Sequence, residues 1–249
     1  MATIRDEALC IRHWDWSETS QTVSLFSRGH GLIRGLAKGA KREKGQFSGG
    51  IELLTRGEVV AIVKGGQAMA TLTAWDLLEL FPAARRTLGA FHVGIYLADL
   101  LHHTVTHEDP HPALYDRMVE ALRDLARSEQ WALLCGQWAV LTETGHRPEV
   151  GADVRTGETL SGAERVAFSP RLGGMVRVEH GAMPADAWGV RPETATLLAE
   201  LDRRTASLER ADLGAVARGA RLLAAYSRFL LDRELPSVSP LFGEGGLPL

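Results

Sequence analysis

The hydrophobic period of this chain changes near Thr73, and that break constrains the fold more than any single motif. Before it, the chain reads as β. Glu7 to Trp14 alternates in part, with Ala8, Cys10 and His13 interleaved among Leu9, Ile11 and Trp14. Gln21 to Ser27 is rich in β-formers, and Arg28-Gly29-His30-Gly31 supplies turn chemistry before Leu32 to Ala37. Ile51 to Leu54, Val59 to Lys64, a Gly65-Gly66 turn and Ala68 to Thr73 follow. These short runs within about 75 residues predict a small five-stranded barrel, because one sheet of that size would leave its edges exposed.

After the break the period is helical. Thr73 is placed to cap a helix through Trp75, Leu77, Leu78 and Leu80, which Pro82 interrupts. Arg85 to Val105, Leu114 to Ala126 and Glu129 to Thr144 read as helices, as do Glu193 to Arg203 and Leu213 to Leu235. Between them, Gly145 to Trp188 loses the period and is rich in Gly, Pro and Arg, with short β-like runs at Arg165 to Phe168 and Met175 to Val178. The expected class is α+β: a five-stranded barrel over residues 1–80, then a helical domain over 81–249 with a compact irregular insertion at about 145–190.

The composition excludes several classes. An apolar fraction of 45% and a charged fraction of 24% over 249 residues suit a globular protein. Cys10 and Cys135 cannot build a disulfide framework or a cysteine zinc site, and fit a reduced compartment. Arg5, Asp6 and Glu7 stand where a signal peptide needs an apolar core. No apolar run approaches the length of about 20 residues that spans a bilayer. A cytoplasmic protein is expected.

Charge is unevenly spread. Between Arg28 and Lys44, six cations (Arg28, Arg34, Lys38, Lys41, Arg42 and Lys44) face one acid, Glu43, while the whole chain carries −3. A basic island on an acidic chain is a candidate polyanion site, with a solvated loop as the alternative. Small barrels bind single strands with a basic groove and with aromatics on which bases stack. Phe47, in a glycine-rich loop beside Lys44, is the expected exposed stacker. Trp14 and Trp16 share a strand face and are assigned to the barrel interior, which needs large side chains, with stacking as the alternative.

A search for catalysis returns little. No GxxxxGK[ST] loop, GxSxG elbow or HExxH helix is present. His102, His103, His107 and His111 lie close together, and the spacing of His103 and His107 would place both on one helix face as metal ligands. The competing reading is a polar helix end, where histidine meets the C-terminal dipole. A metal-dependent nucleic-acid hydrolase built on this cluster, and a barrel that contacts only proteins, are the rival functions.

The stretch SETSQTVSLFSRGHGLIRGLAKGAKREKGQF resembles the N-terminal signature of RecO, a family of bacterial recombination mediators. Glu18-Thr19, Leu25-Phe26-Ser27, Gly31 and Lys38-Gly39-Ala40-Lys41-Arg42 carry the match, with Gly45 where serine is usual. Gly145-His146-Arg147-Pro148 is similar to the family's Gly-Tyr-x-Pro element, and Arg221 to Ser237 to its terminal helix. Many relatives hold zinc in two CxxC pairs after that element. Asp153, Thr156, Arg177 and His180 stand there instead, so a metal-free module is expected.

The resemblance implies an oligonucleotide-binding (OB) barrel followed by a helical domain, no catalysis and no cofactor. It implies binding to single- and double-stranded DNA, annealing of complementary strands and loading of RecA, indirectly, onto DNA coated by single-strand-binding protein. The implied partners are RecR and the acidic C-terminal tail of single-strand-binding protein, with no membrane, at the nucleoid. Arg28, Arg34, Lys38, Lys41, Arg42, Lys44 and Phe47 are the expected DNA-binding residues. The acidic tail is expected on the helical domain beside an arginine, whose planar donors match a carboxylate.

Overall fold

The computed structural model describes residues 2–42, 45–47, 49–64, 69–160, 165–178 and 183–243. The chain divides into two compact units, residues 1–126 and 127–249.

The first unit is built on a closed five-stranded barrel of order β1-β2-β3-β5-β4. Its strands are β1 (Ala2–Asp15), β2 (Gln21–Ser27), β3 (Gly31–Ala37), β4 (Arg56–Val63) and β5 (Ala70–Glu79). Closure depends on the length of β1. Its first half pairs with β4 from Ala2↔Val63 to Leu9↔Arg56, and its second half with β2 from Ala8↔Ser27 to Asp15↔Gln21. A bulge between Cys10 and Arg12 turns the strand between these two partners. A short parallel pairing of β3 with β5, Gly35↔Ala70 to Ala37↔Leu72, seals the other seam. This order, with that parallel seam, is the OB arrangement, whose β2–β3 face and β1–β2 and β4–β5 loops form the ligand surface.

Inside lie Ala8, Cys10, Val23, Leu25, Ile33, Val59, Ala61, Leu72 and Trp75, contributed by alternate positions of each strand. Gly57 is required here, since a Cβ would come within 2.5 Å of the Trp75 ring. The helix expected from Thr73 to Leu80 is instead the second half of β5, paired with β4 from Ala74↔Val60 to Glu79↔Arg56. Its apolar residues Leu77, Leu78 and Leu80 read as a helical stripe, but barrel pairing overrides that pattern and leaves all three exposed.

Two helices complete this unit. Helix α1 (Leu88–Thr104) is capped by Thr87, whose side chain accepts from Ala90 N at 3.0 Å, and it packs against β1 and β2. Helix α2 (Pro112–Asp124) brings Tyr115 against Phe26 on the outer face of β2, with ring centroids 5.9 Å apart.

The second unit holds α3 (Glu129–Glu143), α4 (Pro192–Asp202), α5 (Leu213–Leu231) and the short α6 (Ser239–Phe242). Between α3 and α4 lies a three-stranded sheet, β7 (Gly174–Arg177), β6 (Val166–Ser169) and β8 (Trp188–Val190), in that order. Phe168 joins sheet to helix: its ring meets Trp188 at 5.9 Å and Tyr226 of α5 at 5.1 Å. Among the described residues no helix is long and apolar enough to cross a membrane.

Candidate nucleic-acid interface

Strand register decides which of the expected DNA-binding residues can act together. On β3, Ile33 and Ala37 face the core, so Leu32, Arg34 and Leu36 face outward. The outward positions line up across strands. Trp14 lies opposite Thr22 and Thr22 opposite Leu36, while one pleat away Arg12 lies opposite Ser24 and Ser24 opposite Arg34. Beyond these rows β1 ends in the loop carrying Trp16, and β3 ends in the loop carrying Lys38, Lys41 and Arg42.

Those two loops are tied together by backbone. Lys41 N donates to Thr19 O at 3.0 Å, and Gly39 N to the Ser20 hydroxyl at 3.1 Å. Gly39 takes φ +69, which glycine adopts without strain. Ala40 then turns inward and is buried in the barrel core. With that residue anchored, Lys38 and Arg42 stand exposed beside Trp16, around a groove of about 330 Å³ lined also by Ser17, Thr19, Ser20, Leu36 and Gly39. Neither Lys38 nor Arg42 has an ion-pair partner among the described residues, and the same holds for Arg34. Lys41 is held differently, with its ammonium 2.5 Å from Asp15.

Three expectations change on this geometry. Phe47 is buried, at 5% exposure, with the barrel core, so it offers no stacking face. Ala40, Phe47 and Ile51 all join that core, and the glycines and lysines near them in sequence conceal the role. Trp14 and Trp16 are not interior: they are 49% and 65% exposed, because the bulge before Arg12 sets Arg12, Trp14 and Trp16 outward. Arg28 sits at the far end of the β2–β3 hairpin, where its Nε and Nη2 donate to both oxygens of Asp116 at 2.9 and 2.8 Å. Lys44 lies outside the described residues.

The histidine cluster disperses. Helix α1 ends at Thr104, so His103 and His107 share no helix face. His103 Nε2 lies 3.4 Å from the Arg12 guanidinium, a cation where a metal would have to sit, and His111 pairs with Asp109 at 3.1 Å. No group of three metal-ligating side chains is found among the described residues.

Asp153 is one of the residues that the resemblance sets at the zinc-ligand positions of relatives. It is 1% exposed, and its oxygens accept from Arg155 N (2.8 Å), Arg155 Nε (3.2 Å), Arg155 Nη2 (2.9 Å) and Arg177 N (2.7 Å). The Arg155 side chain, then the backbone amides, hold the carboxyl well below the usual carboxylate range. Arg155 also donates to Arg177 O at 2.8 Å. This hydrogen-bonded clasp joins the Asp153 turn to β7, as a bound ion would. Thr156 contributes its amide to Asp153 O at 3.2 Å, and His180 lies outside the described residues.

The sequence of the barrel and of the units that follow it matches known proteins over most of its length. The model of the recombination protein O N-terminal domain matches residues 1–81, and that of the C-terminal domain residues 85–239. The chain belongs to the RecO family. It is 34% identical to the DNA repair protein RecO of Rhodopirellula baltica over 70% of this chain, an alignment that spans 65%, just under two thirds, of that relative. It is 30% identical to the RecO of Salinibacter ruber over 86% of this chain and 79% of that protein. The RecO of an Anaeromyxobacter strain is 30% identical over 95% of this chain and 96% of its own length. The family thus assigns a role in DNA repair and recombination. The two RecO models meet near residue 83, at the end of the barrel, whereas the first compact unit extends to residue 126 and includes α1 and α2.

Sequence reasoning found the basic loop but missed Trp16 as a surface residue. The available signal was its position: an aromatic at the end of β1, followed at once by Ser17, Glu18, Thr19 and Ser20, a turn too polar to belong to a core.

Proposed function

We propose that this RecO-family chain binds single- and double-stranded DNA on the barrel face formed by Trp14, Trp16, Arg34, Lys38 and Arg42, and anneals complementary strands there. One observation carries the reading: an exposed tryptophan of the β1–β2 loop beside two cations of the β3–β4 loop that have no ion-pair partner among the described residues. The indole offers any base a stacking surface, and the cations follow the phosphates without reading sequence. Annealing needs two polyanions brought together, and a local basic face on a chain of net charge −3 screens their repulsion at one place only.

On this reading the protein acts on DNA in the cytoplasm, at the nucleoid, and helps load RecA onto DNA coated by single-strand-binding protein, with RecR as partner. The acidic tail of single-strand-binding protein is placed on the second unit. There, Arg191, Arg218 and Arg221 surround a pocket of about 230 Å³ with Trp188 and Leu222. Arginine donors suit the terminal carboxylate, and the apolar residues suit a hydrophobic tail end.

The test is the annealing of complementary dye-labelled oligonucleotides, followed by energy transfer. Wild-type protein is expected to accelerate annealing, and the Lys38→Ala, Arg42→Ala double variant to lose most of that acceleration. A double variant as fast as wild type contradicts the assignment. Excess tail peptide is expected to leave the variant series unchanged, because it docks elsewhere.

A further inference from the structure

A second cavity opens on the first unit, close to the groove of Trp16. It measures about 230 Å³ and lies between the end of β1, the loop before β4 and helix α1. Ile11, Leu53 and Ile95 give it apolar walls, Trp14 an aromatic one, and Arg12 with Asp99 a polar one. The loop wall is fixed without a ligand. His13 Nδ1 donates to Ile51 O at 3.0 Å, Leu54 N to Cys10 O at 2.9 Å, and Arg85 Nη2 to Leu53 O at 2.7 Å. The volume falls below the roughly 300–1,000 Å³ of sites for drug-sized molecules, and suits one flat ring system.

The polar wall decides which ring system. Arg12 Nη2 donates to Asp99 Oδ1 at 2.6 Å and lies 3.4 Å from His103 Nε2, so the contact uses one prong of each charged group. Asp99 Oδ2 and Arg12 Nε and Nη1 have no hydrogen-bond partner among the described residues. Both side chains reach solvent, at 26% exposure for Arg12 and 13% for Asp99, and both line the cavity. The wall therefore offers an acceptor and several donors side by side to whatever enters. The Watson–Crick edge of every nucleobase carries an N–H donor next to an acceptor, so this wall suits each of the four bases and selects none.

We propose that this cavity seats one unpaired base of bound single-stranded DNA, with its Watson–Crick edge on Arg12 and Asp99 and its face on Trp14. The seat rests on the DNA-binding reading above and deepens it, because it separates single strands from duplex. Register places it beside the proposed path. Trp14 lies opposite Thr22 and Thr22 opposite Leu36, which lines the groove of Trp16, Lys38 and Arg42. With strands about 4.8 Å apart, groove and seat are about 10 Å from each other. A single strand covers that distance in no more than about three nucleotides at roughly 3.4 Å each. The cations hold the phosphates while one base turns into the seat. In a duplex the partner base already occupies that edge, so duplex DNA uses the cations and leaves the seat empty. A seated base must likewise leave before a complementary strand pairs with it.

The experiment measures anisotropy of a labelled oligothymidylate, and of the same oligomer methylated at N3 of every thymine, with the full-length protein. The methyl group removes the donor that Asp99 accepts and leaves the phosphates as they were. Wild-type protein is expected to bind the methylated strand about tenfold more weakly. The salt slope should not change, since the phosphate contacts are the same. Asp99→Asn puts an amide donor where the seat needs an acceptor. It is expected to lose about as much affinity for the plain strand, to bind both strands alike and to keep wild-type affinity for duplex. Ile95→Trp fills the cavity from α1 and is expected to weaken single-strand binding alone. Melting temperature is measured on both variants, and parallel loss of single-strand and duplex affinity would assign the residues to the fold and contradict the seat. The methylated strand needs no variant, so it decides the matter even where a variant folds poorly. If wild-type protein binds the two strands equally while Lys38→Ala is impaired, the seat is wrong and the loop surface stands. Wild-type protein without DNA affinity would overturn both.

Discussion

Arg28 and Asp116 form a two-pronged pair, Nε and Nη2 to the two carboxylate oxygens at 2.9 and 2.8 Å, joining the β2–β3 turn to α2. Asp6 reinforces the same turn by accepting from Gly29 N at 2.7 Å, from His30 Nδ1 at 2.8 Å and from the Ser27 hydroxyl. The first cation of the basic segment is therefore spent on the fold and lies a hairpin length from Lys38. Arg28→Gln is expected to leave both DNA affinity and its salt slope at wild-type values. A slope lowered by about 0.7 on single-stranded DNA would return Arg28 to the DNA surface.

Trp16 stands 65% exposed over the Lys38–Arg42 groove. Replacing it with alanine is expected to cost about 1–3 kcal/mol of single-strand affinity, the usual worth of one base–aromatic stack, without changing the salt slope. Quenching of tryptophan fluorescence on DNA binding should fall in the same variant. Undiminished quenching would assign the stack elsewhere.

Phe47 should behave in the opposite way. Buried with Ala40, Ile51 and Trp75 in the barrel core, it is expected to cost about 3–5 kcal/mol of stability when truncated to alanine. The denaturant midpoint reads that loss directly. A variant of wild-type stability with weakened DNA binding would mean that the ring faces solvent.

Asp153 too has a role set by its partners. Asp153→Asn places an amide where four nitrogen donors converge, and should destabilise the second unit by about 2 kcal/mol or more. Its folded pKa lies below its ordinary value of 3.8, so the stability it contributes is complete above that value. Stability is then lost as pH falls below 3.8 toward the folded value. Acid unfolding followed by circular dichroism should show this loss in wild type and a shallower one in the variant. Equal acid sensitivity in the two proteins would remove Asp153 from the account.

The strands and helices were legible because their periods are local. Gln21–Ser27 and Leu32–Ala37 read correctly from alternation and turn residues, and α1 to α5 from apolar spacing. Thr73 to Leu80 misled for the same reason: Leu77, Leu78 and Leu80 make a helical stripe, and only pairing with β4 makes them a strand. The site failed where facing had to be known. Alternation places Trp14 and Trp16 on one face, but the bulge before Arg12 decides which face is outward, and a bulge is a property of two strands. Phe47 was misread because glycine and lysine neighbours mark a loop without telling whether its one large ring points in. The pairing of Arg28 with Asp116, 88 positions away, has no local signature at all.

The most direct test of the account is the salt dependence of single-stranded DNA affinity for wild type and for the Lys38→Ala, Arg42→Ala double variant. Each phosphate-neutralising cation contributes about 0.7 to the slope of log affinity against log salt on a single strand, so the double variant should be flatter by about 1.4. Its melting temperature should be unchanged, because neither side chain has a partner among the described residues. An equal slope in the two proteins would contradict the placement of DNA on this face of the barrel.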